Sequence, residues 1–143
     1  MPVRTASAVW NGALTDGNGT MTLDSGAYTG PYSFGSRFEE EPGSNPEELI
    51  AAAHAGCFSM QLSGVLGRAG YTPESIETRA DVHVLKDGEG FTIKRIDLHT
   101  TARVPDLDAN EFATHAETAK RTCPVSRALA GVAEITLDAN LVT

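Results

Sequence analysis

A chain of 143 residues that is 41% hydrophobic and 21% charged has the length and composition of one globular domain and lies far from the disordered range. Its formal net charge of −8 repels phosphate backbones and anionic lipid surfaces, so neither nucleic acid nor a membrane is an expected partner. Met1 to Trp10 lacks the apolar run of a signal peptide. The most apolar stretch, Leu49 to Leu66, is broken by His54, Gln61, glycines and serines, so the expected location is the cytoplasm.

In chain order, three short strand candidates come first: Ser7 to Trp10, Gly19 to Leu23, and Pro31 to Ser36. Asn11-Gly12 and Asp24-Ser25-Gly26 between them carry the turn chemistry of an antiparallel meander. Glu39-Glu40-Glu41 leads a polar, solvated connection. Asn45 then suits an N-cap, Pro46 the first helical position, and Glu47 and Glu48 the positive end of the helix dipole. A helix is predicted from Pro46 to about Ala69, stopped by Gly70. Its side chains are apolar almost all round, the pattern of a helix buried on most sides.

Thr78 to Lys86 and Phe91 to Val104 flank Asp87-Gly88-Glu89-Gly90, a compact hairpin signal. A helix from about Ala109 to Arg121 follows and is broken at Cys123-Pro124, because a residue before proline is pushed out of the α region. A short helix, Pro124 to Ala130, and an alternating strand, Glu134 to Val142, complete the chain. Strands and helices are grouped instead of alternating, which predicts an α+β fold: antiparallel sheets packed around a long, central, buried helix in a single domain, residues 1–143.

Cys57 and Cys123 are the whole cysteine inventory. In a reducing compartment they are either two buried thiols or a redox couple. Cys57 falls mid-helix on the face of Ile50, Ala53, Gln61 and Gly64, where burial alone would raise its pKa, so a reactive Cys57 needs a cation from elsewhere. Cys123 falls at the N-terminus of the short helix, where unpaired N–H groups favour a thiolate.

Two stretches, Asn-Pro-Glu-Glu-Leu-Ile-Ala-Ala-Ala-His-Ala-Gly-Cys-Phe (45–58) and Cys-Pro-Val-Ser-Arg-Ala-Leu (123–129), resemble the OsmC and organic hydroperoxide resistance family. Ser36-Arg37-Phe38-Glu39 is similar to its OsmC branch. The resemblance implies an intertwined homodimer and a cysteine-based peroxidase that reduces organic hydroperoxides to alcohols without metal or organic cofactor. It assigns Cys57 as the peroxidatic and Cys123 as the resolving cysteine, Arg37 and Glu48 as the charged pair that activates the site, and a dithiol, of dihydrolipoyl type, as the reductant.

Glu48 and Cys57 are nine residues apart, a rotation of about 180° on an unbroken helix. Glu48 with Arg37 is therefore expected to reach the Cys57 of a partner chain. The alternatives are a non-catalytic thiol redox sensor, a binding module of the same fold, and a thiol hydrolase pairing Cys57 with His54. His54 alone reads as a satisfied buried histidine. His83, His99 and His115 lack metal-ligand spacing. Phe34, Phe38, Phe58 and Met60 are candidates for lining an apolar substrate pocket or for ordinary core.

Overall fold

In the computed structural model, which describes residues 1–142, contacts divide the chain into two compact units, Met1–Leu49 and the remainder from Ile50. In the first unit, β1 (Ala6–Asn11), β2 (Asn18–Leu23) and β3 (Thr29–Tyr32) form an antiparallel meander in the order β1-β2-β3. Trp10 and Tyr32 flank Gly19 across the three strands, their ring centroids 5.3 Å apart. A Cβ on Gly19 would sit 2.5 Å from a Tyr32 ring carbon and 2.8 Å from the Trp10 ring, so only glycine admits this pair.

The third strand ends four residues earlier than predicted. Ser33 caps a one-turn helix, α1 (Phe34–Phe38). Its Oγ accepts from the Ser36 N–H at 3.0 Å, while Ser36 Oγ accepts from the Ser33 N–H at 2.8 Å. Such a reciprocal box supplies the backbone with partners that compete with a sheet ladder. Arg37 therefore rides on a helix rather than following a strand.

In the second unit, β4 (Ser75–Asp87) and β5 (Gly90–Arg103) make a long antiparallel hairpin joined by Gly88-Glu89, with Gly88 at φ 62°. After α3 (Ala109–Thr122) and α4 (Pro124–Ala128), β6 (Glu134–Val142) joins β5 in parallel. The α+β class holds, but this sheet is mixed and not purely antiparallel. The two helices between β5 and β6 supply the long crossover that a parallel pair requires.

The long helix α2 runs Pro46–Arg68. Asn45 caps it, its Oδ1 accepting from the Glu48 N–H at 2.7 Å. At the other end Gly70, at φ 93°, lets the Tyr71 N–H reach the Leu66 carbonyl at 2.9 Å and its own N–H reach Gly67 at 3.0 Å. Both bonds belong to a Schellman cap. Phe58, Leu62, Val65 and Leu66 of α2 enter one core with Ile96 and Leu98 of β5 and Phe112, Ala116 and Ala119 of α3.

The expectation that α2 is buried on most sides fails within the chain. Ala52, Ala53, Gly56, Met60 and Gly67 are exposed along one face, because one sheet and one helix cover only one side of a cylinder. Among the described residues α2 is the one helix long and apolar enough to cross a bilayer by length and composition. Its Phe58, Leu62 and Leu66 are instead fully buried in protein.

The polar face of the β4-β5-β6 sheet centres on Asp97. Its carboxylate accepts from Arg95 Nε at 2.8 and 3.0 Å and contacts His83 Nε2 at 2.9 Å, and Thr136 also donates to it. The Arg95 contact first, then Thr136 and His83, holds the Asp97 carboxyl well below the usual carboxylate range. A depressed acid pKa adds stability that is complete above the unfolded value, about 3.9, and is lost as pH falls below it. Asp97→Asn is accordingly expected to be less stable at pH 7 and to lose less stability on acidification from pH 4, as read by denaturant melts across pH.

Candidate active site

Cys123 is the hinge residue between α3 and α4: it closes the first and opens the second, at φ −57° and ψ 123°. Pro124 forbids the α conformation there and starts the next helix at the position proline tolerates best. The break turns the Cys123 side chain onto α2. Its Sγ donates to Cys57 Sγ at 3.1 Å, joining residues 66 apart in sequence. Both thiols are free, Cys123 fully buried and Cys57 half-buried. A disulfide measures about 2.05 Å, so closing the gap takes roughly 1 Å of movement.

Burial, and then the neighbouring Cys123, push the Cys57 thiol above its ordinary range. The Val125 N–H opposes them by donating toward Cys57. The α4 N-terminus therefore serves Cys57, whereas the sequence suggested Cys123; the Cys123 side chain makes no capping bond at all. One backbone donor does not outweigh burial. A nucleophilic Cys57 still calls for a cation.

Two further contacts flank the sulfurs along the same side of α2. One turn before Cys57, buried His54 places Nε2 2.7 Å from Ser126 Oγ. One turn after it, Gln61 Nε2 donates to Thr122 Oγ1 at 2.9 Å. Thr122 Oγ1 in turn donates to the Thr118 carbonyl. His54 is half-satisfied, because its Nδ1 has no hydrogen-bond partner among the described residues. Burial lowers its pKa, keeping the ring neutral.

In the first unit, Arg37 on α1 pairs with Glu47 at the start of α2. Its Nε lies 2.9 and 3.1 Å from the two carboxylate oxygens and its Nη2 lies 2.7 Å from Oε1. Glu47 is buried while the Arg37 side chain remains 36% exposed. This corrects the expected Arg37–Glu48 pair. Successive helix residues diverge by about 100°, so only one of the two glutamates can face α1. Glu48 instead accepts from Ser44 Oγ at 3.0 Å and is exposed. Arg37 also borders a pocket of about 220 Å³ lined by Trp10, Leu14, Tyr32 and Phe34.

The other sequence candidates separate. Phe34 and Phe38 pack on each other at 5.0 Å between centroids, Phe58 is fully buried core, and Met60 is exposed. His83 pairs with Asp97, His99 with Asp81 at 3.2 Å, and His115 approaches Glu111 at 3.5 Å. Among the described residues no three His, Cys, Asp or Glu side chains are placed to hold a metal. Sequence reasoning missed Glu47, Val125, Ser126, Gln61 and Thr122. The available signal was spacing: His54 and Gln61 lie one turn either side of Cys57, and Ser126 one turn beyond Cys123.

This arrangement defines an α+β dithiol protein, with two free cysteines meeting where a helix break delivers one onto a core helix carrying the other. Residues 38–138 match the model of the OsmC-like protein family, and the chain belongs to that family. It is 51% identical to peroxiredoxin OsmC of Escherichia coli (strain K12), over 94% of this chain and 93% of the relative. Organic hydroperoxide resistance protein OhrA of Bacillus subtilis (strain 168) is 29% identical over 68% of each. Among solved structures, an OsmC-like protein from Mycoplasma pneumoniae superposes with a TM-score of 0.78 at 17% identity, covering 99% of both chains. OhrB of Bacillus subtilis superposes at 0.68 with 25% identity, covering 96% of this chain and 98% of that one.

Proposed function

We propose that the protein is a cysteine-based peroxidase that reduces organic hydroperoxides to alcohols at the expense of a dithiol. The observation that carries this reading is the 3.1 Å contact between Cys57 and Cys123, with Cys57 the more accessible sulfur. Its relatives, a peroxiredoxin and several organic hydroperoxide resistance proteins, support it.

The cycle runs in three balanced steps. Cys57 thiolate attacks the distal peroxide oxygen; the O–O bond breaks, the alkoxide takes a proton to leave as alcohol, and Cys57 becomes a sulfenic acid. The Cys123 thiolate attacks that sulfur, the S–O bond breaks, and the departing hydroxide is protonated to water. An external dithiol then attacks the more accessible Cys57 sulfur and releases the Cys123 thiolate; its second thiol attacks the resulting mixed disulfide, closing the reductant's own disulfide and releasing the Cys57 thiolate. A dihydrolipoyl group fits that role chemically, and a cytoplasmic location fits two thiols kept reduced.

Arg37 is the cation we assign to this chemistry, lowering the Cys57 pKa and stabilising charge on the peroxide oxygens. Glu47 fixes the guanidinium by one edge of its fork. The aromatic pocket beside Arg37 suits the organic substituent of the substrate. Glu47 and Cys57 are ten residues apart on α2, about 15 Å along the axis. The carboxylate therefore does not reach its own helix's thiol, and we assign the pair to the Cys57 of a second copy in a homodimer. The exposed apolar face of α2 is consistent with such a partner.

Sustained production of cumyl alcohol from cumene hydroperoxide, with one dithiol consumed per alcohol released, is the expected outcome for a peroxidase. A single oxidation per cysteine pair followed by arrest would instead identify the non-catalytic redox sensor.

A further inference from the structure

The cycle above requires capture of the Cys57 sulfenic acid before a second peroxide oxidises it further, so what holds Cys123 in place matters. Cys123 sits at a backbone break, and the helix it opens has only five residues. Such a segment has little structure of its own to fix its angle to α2. Three cross-links nevertheless tie the α3–α4 junction to one side of α2: His54 to Ser126, Cys57 to Cys123, and Gln61 to Thr122. The sulfur contact is the middle one. It is also the one whose chemistry changes during the reaction, leaving the outer two to keep the elements in register.

We propose that His54–Ser126 and Gln61–Thr122 form a clamp that positions Cys123 for the resolving step, with His54 and Ser126 as its buried arm. This inference rests on the peroxidase reading. His54 and Ser126 are both buried, so no water competes for their bond. The orphaned His54 Nδ1 fixes the sense of the contact. With Nε2–H donating to Ser126 Oγ, Nδ1 is a bare acceptor, whereas the other tautomer would bury an N–H with no acceptor, the rarer and costlier defect. The ring stays neutral in that burial. The clamp does not touch the reacting atoms. It acts by keeping two sulfurs within about 1 Å of bonding distance, where small misplacements cost large factors in rate.

The test is a single turnover of the full-length protein with one equivalent of cumene hydroperoxide, resolving two readouts. Dimedone trapping reports sulfenic acid formation, and intact mass reports disulfide closure. Ser126→Ala and His54→Leu should slow closure by about tenfold or more while leaving sulfenic acid formation within about twofold. His54→Gln, which keeps a donor near the Nε2 position, should restore most of the closure rate. The double variant His54→Leu/Ser126→Ala should be no slower than either single one. The inference is overturned if closure keeps its wild-type rate in Ser126→Ala, or if both steps fall together. Gln61→Ala, at a half-exposed position, makes the same comparison for the outer arm should the buried variants not fold. Failure of the wild type itself to form a trappable or disulfide-bonded product would overturn the peroxidase reading and the clamp's role with it, an outcome distinct from normal oxidation with unchanged closure in the variants, which overturns the clamp alone.

Discussion

Cys57→Ser should abolish hydroperoxide turnover, lowering it by about a thousandfold or more, while Cys123→Ser should keep the first oxidation and lose the cycle. A serine hydroxyl is a poor nucleophile without a dedicated base, and the one histidine beside Cys57 is already engaged with Ser126. The two cysteines are asymmetric because their burial is asymmetric: Cys57 is half-buried and Cys123 has no exposed surface. Peroxide therefore meets Cys57 first. In Cys123→Ser the sulfenic acid has no thiol beside it, and excess hydroperoxide should carry it to sulfinic acid. Added monothiol should restore slow turnover in that variant by making a mixed disulfide, and should restore nothing in Cys57→Ser. Steady-state alcohol production across the three proteins checks both statements.

Arg37→Met should lower kcat/KM by about 10²- to 10³-fold and move the pH midpoint of Cys57 alkylation upward by about one unit or more. The sign follows from the proposed placement of Arg37 beside the Cys57 of a second copy. Within the chain, burial and Cys123 raise the Cys57 pKa, and only the Val125 N–H pulls against them. Removing the guanidinium leaves those influences unbalanced, so the thiolate forms at higher pH.

Glu47→Gln should show a weaker version of the same effect, about tenfold in kcat/KM, because the amide keeps one hydrogen bond to Arg37 but loses the charge-assisted fork. Glu48→Gln should lie within about twofold of wild type, since its partner is the Ser44 hydroxyl. Comparing these two neighbouring substitutions isolates the pairing from the general negative charge at the start of α2.

The sequence made most of this fold readable where local rules were strong. Asn45-Pro46 marked the start of α2 and Gly70 its end, and both caps formed with the expected bonds. Gly88-Glu89 set the β4–β5 hairpin, and the Cys123-Pro124 break lay where proline sterics required it. Legibility failed where a side chain had two plausible partners or where the answer was tertiary. Ser33 and Ser36 turned an apparent strand into α1 through two short-range bonds. Glu47 and Glu48 are chemically identical and adjacent, and only the direction from which α1 approaches decides between them.

The parallel placement of β6 on β5 is likewise invisible in its alternating pattern, which serves either direction. Apolarity all round α2 was visible, but its meaning was not. A helix covered by its own sheet on one face and bare on the other has the same composition as one enclosed within a chain. Family resemblance nominated both cysteines correctly as a spatial pair, which spacing along the chain could not have done.

The most direct test is intact mass after one equivalent of organic hydroperoxide, followed by peptide mapping, on wild type and Cys123→Ser side by side. A wild-type product lighter by two hydrogens, with Cys57 and Cys123 in one linked peptide pair, and a variant heavier by one oxygen on Cys57 are the results expected. Oxygen retained on wild-type Cys57 with no link to Cys123, or first oxidation at Cys123, would contradict the assignment of the two sulfurs.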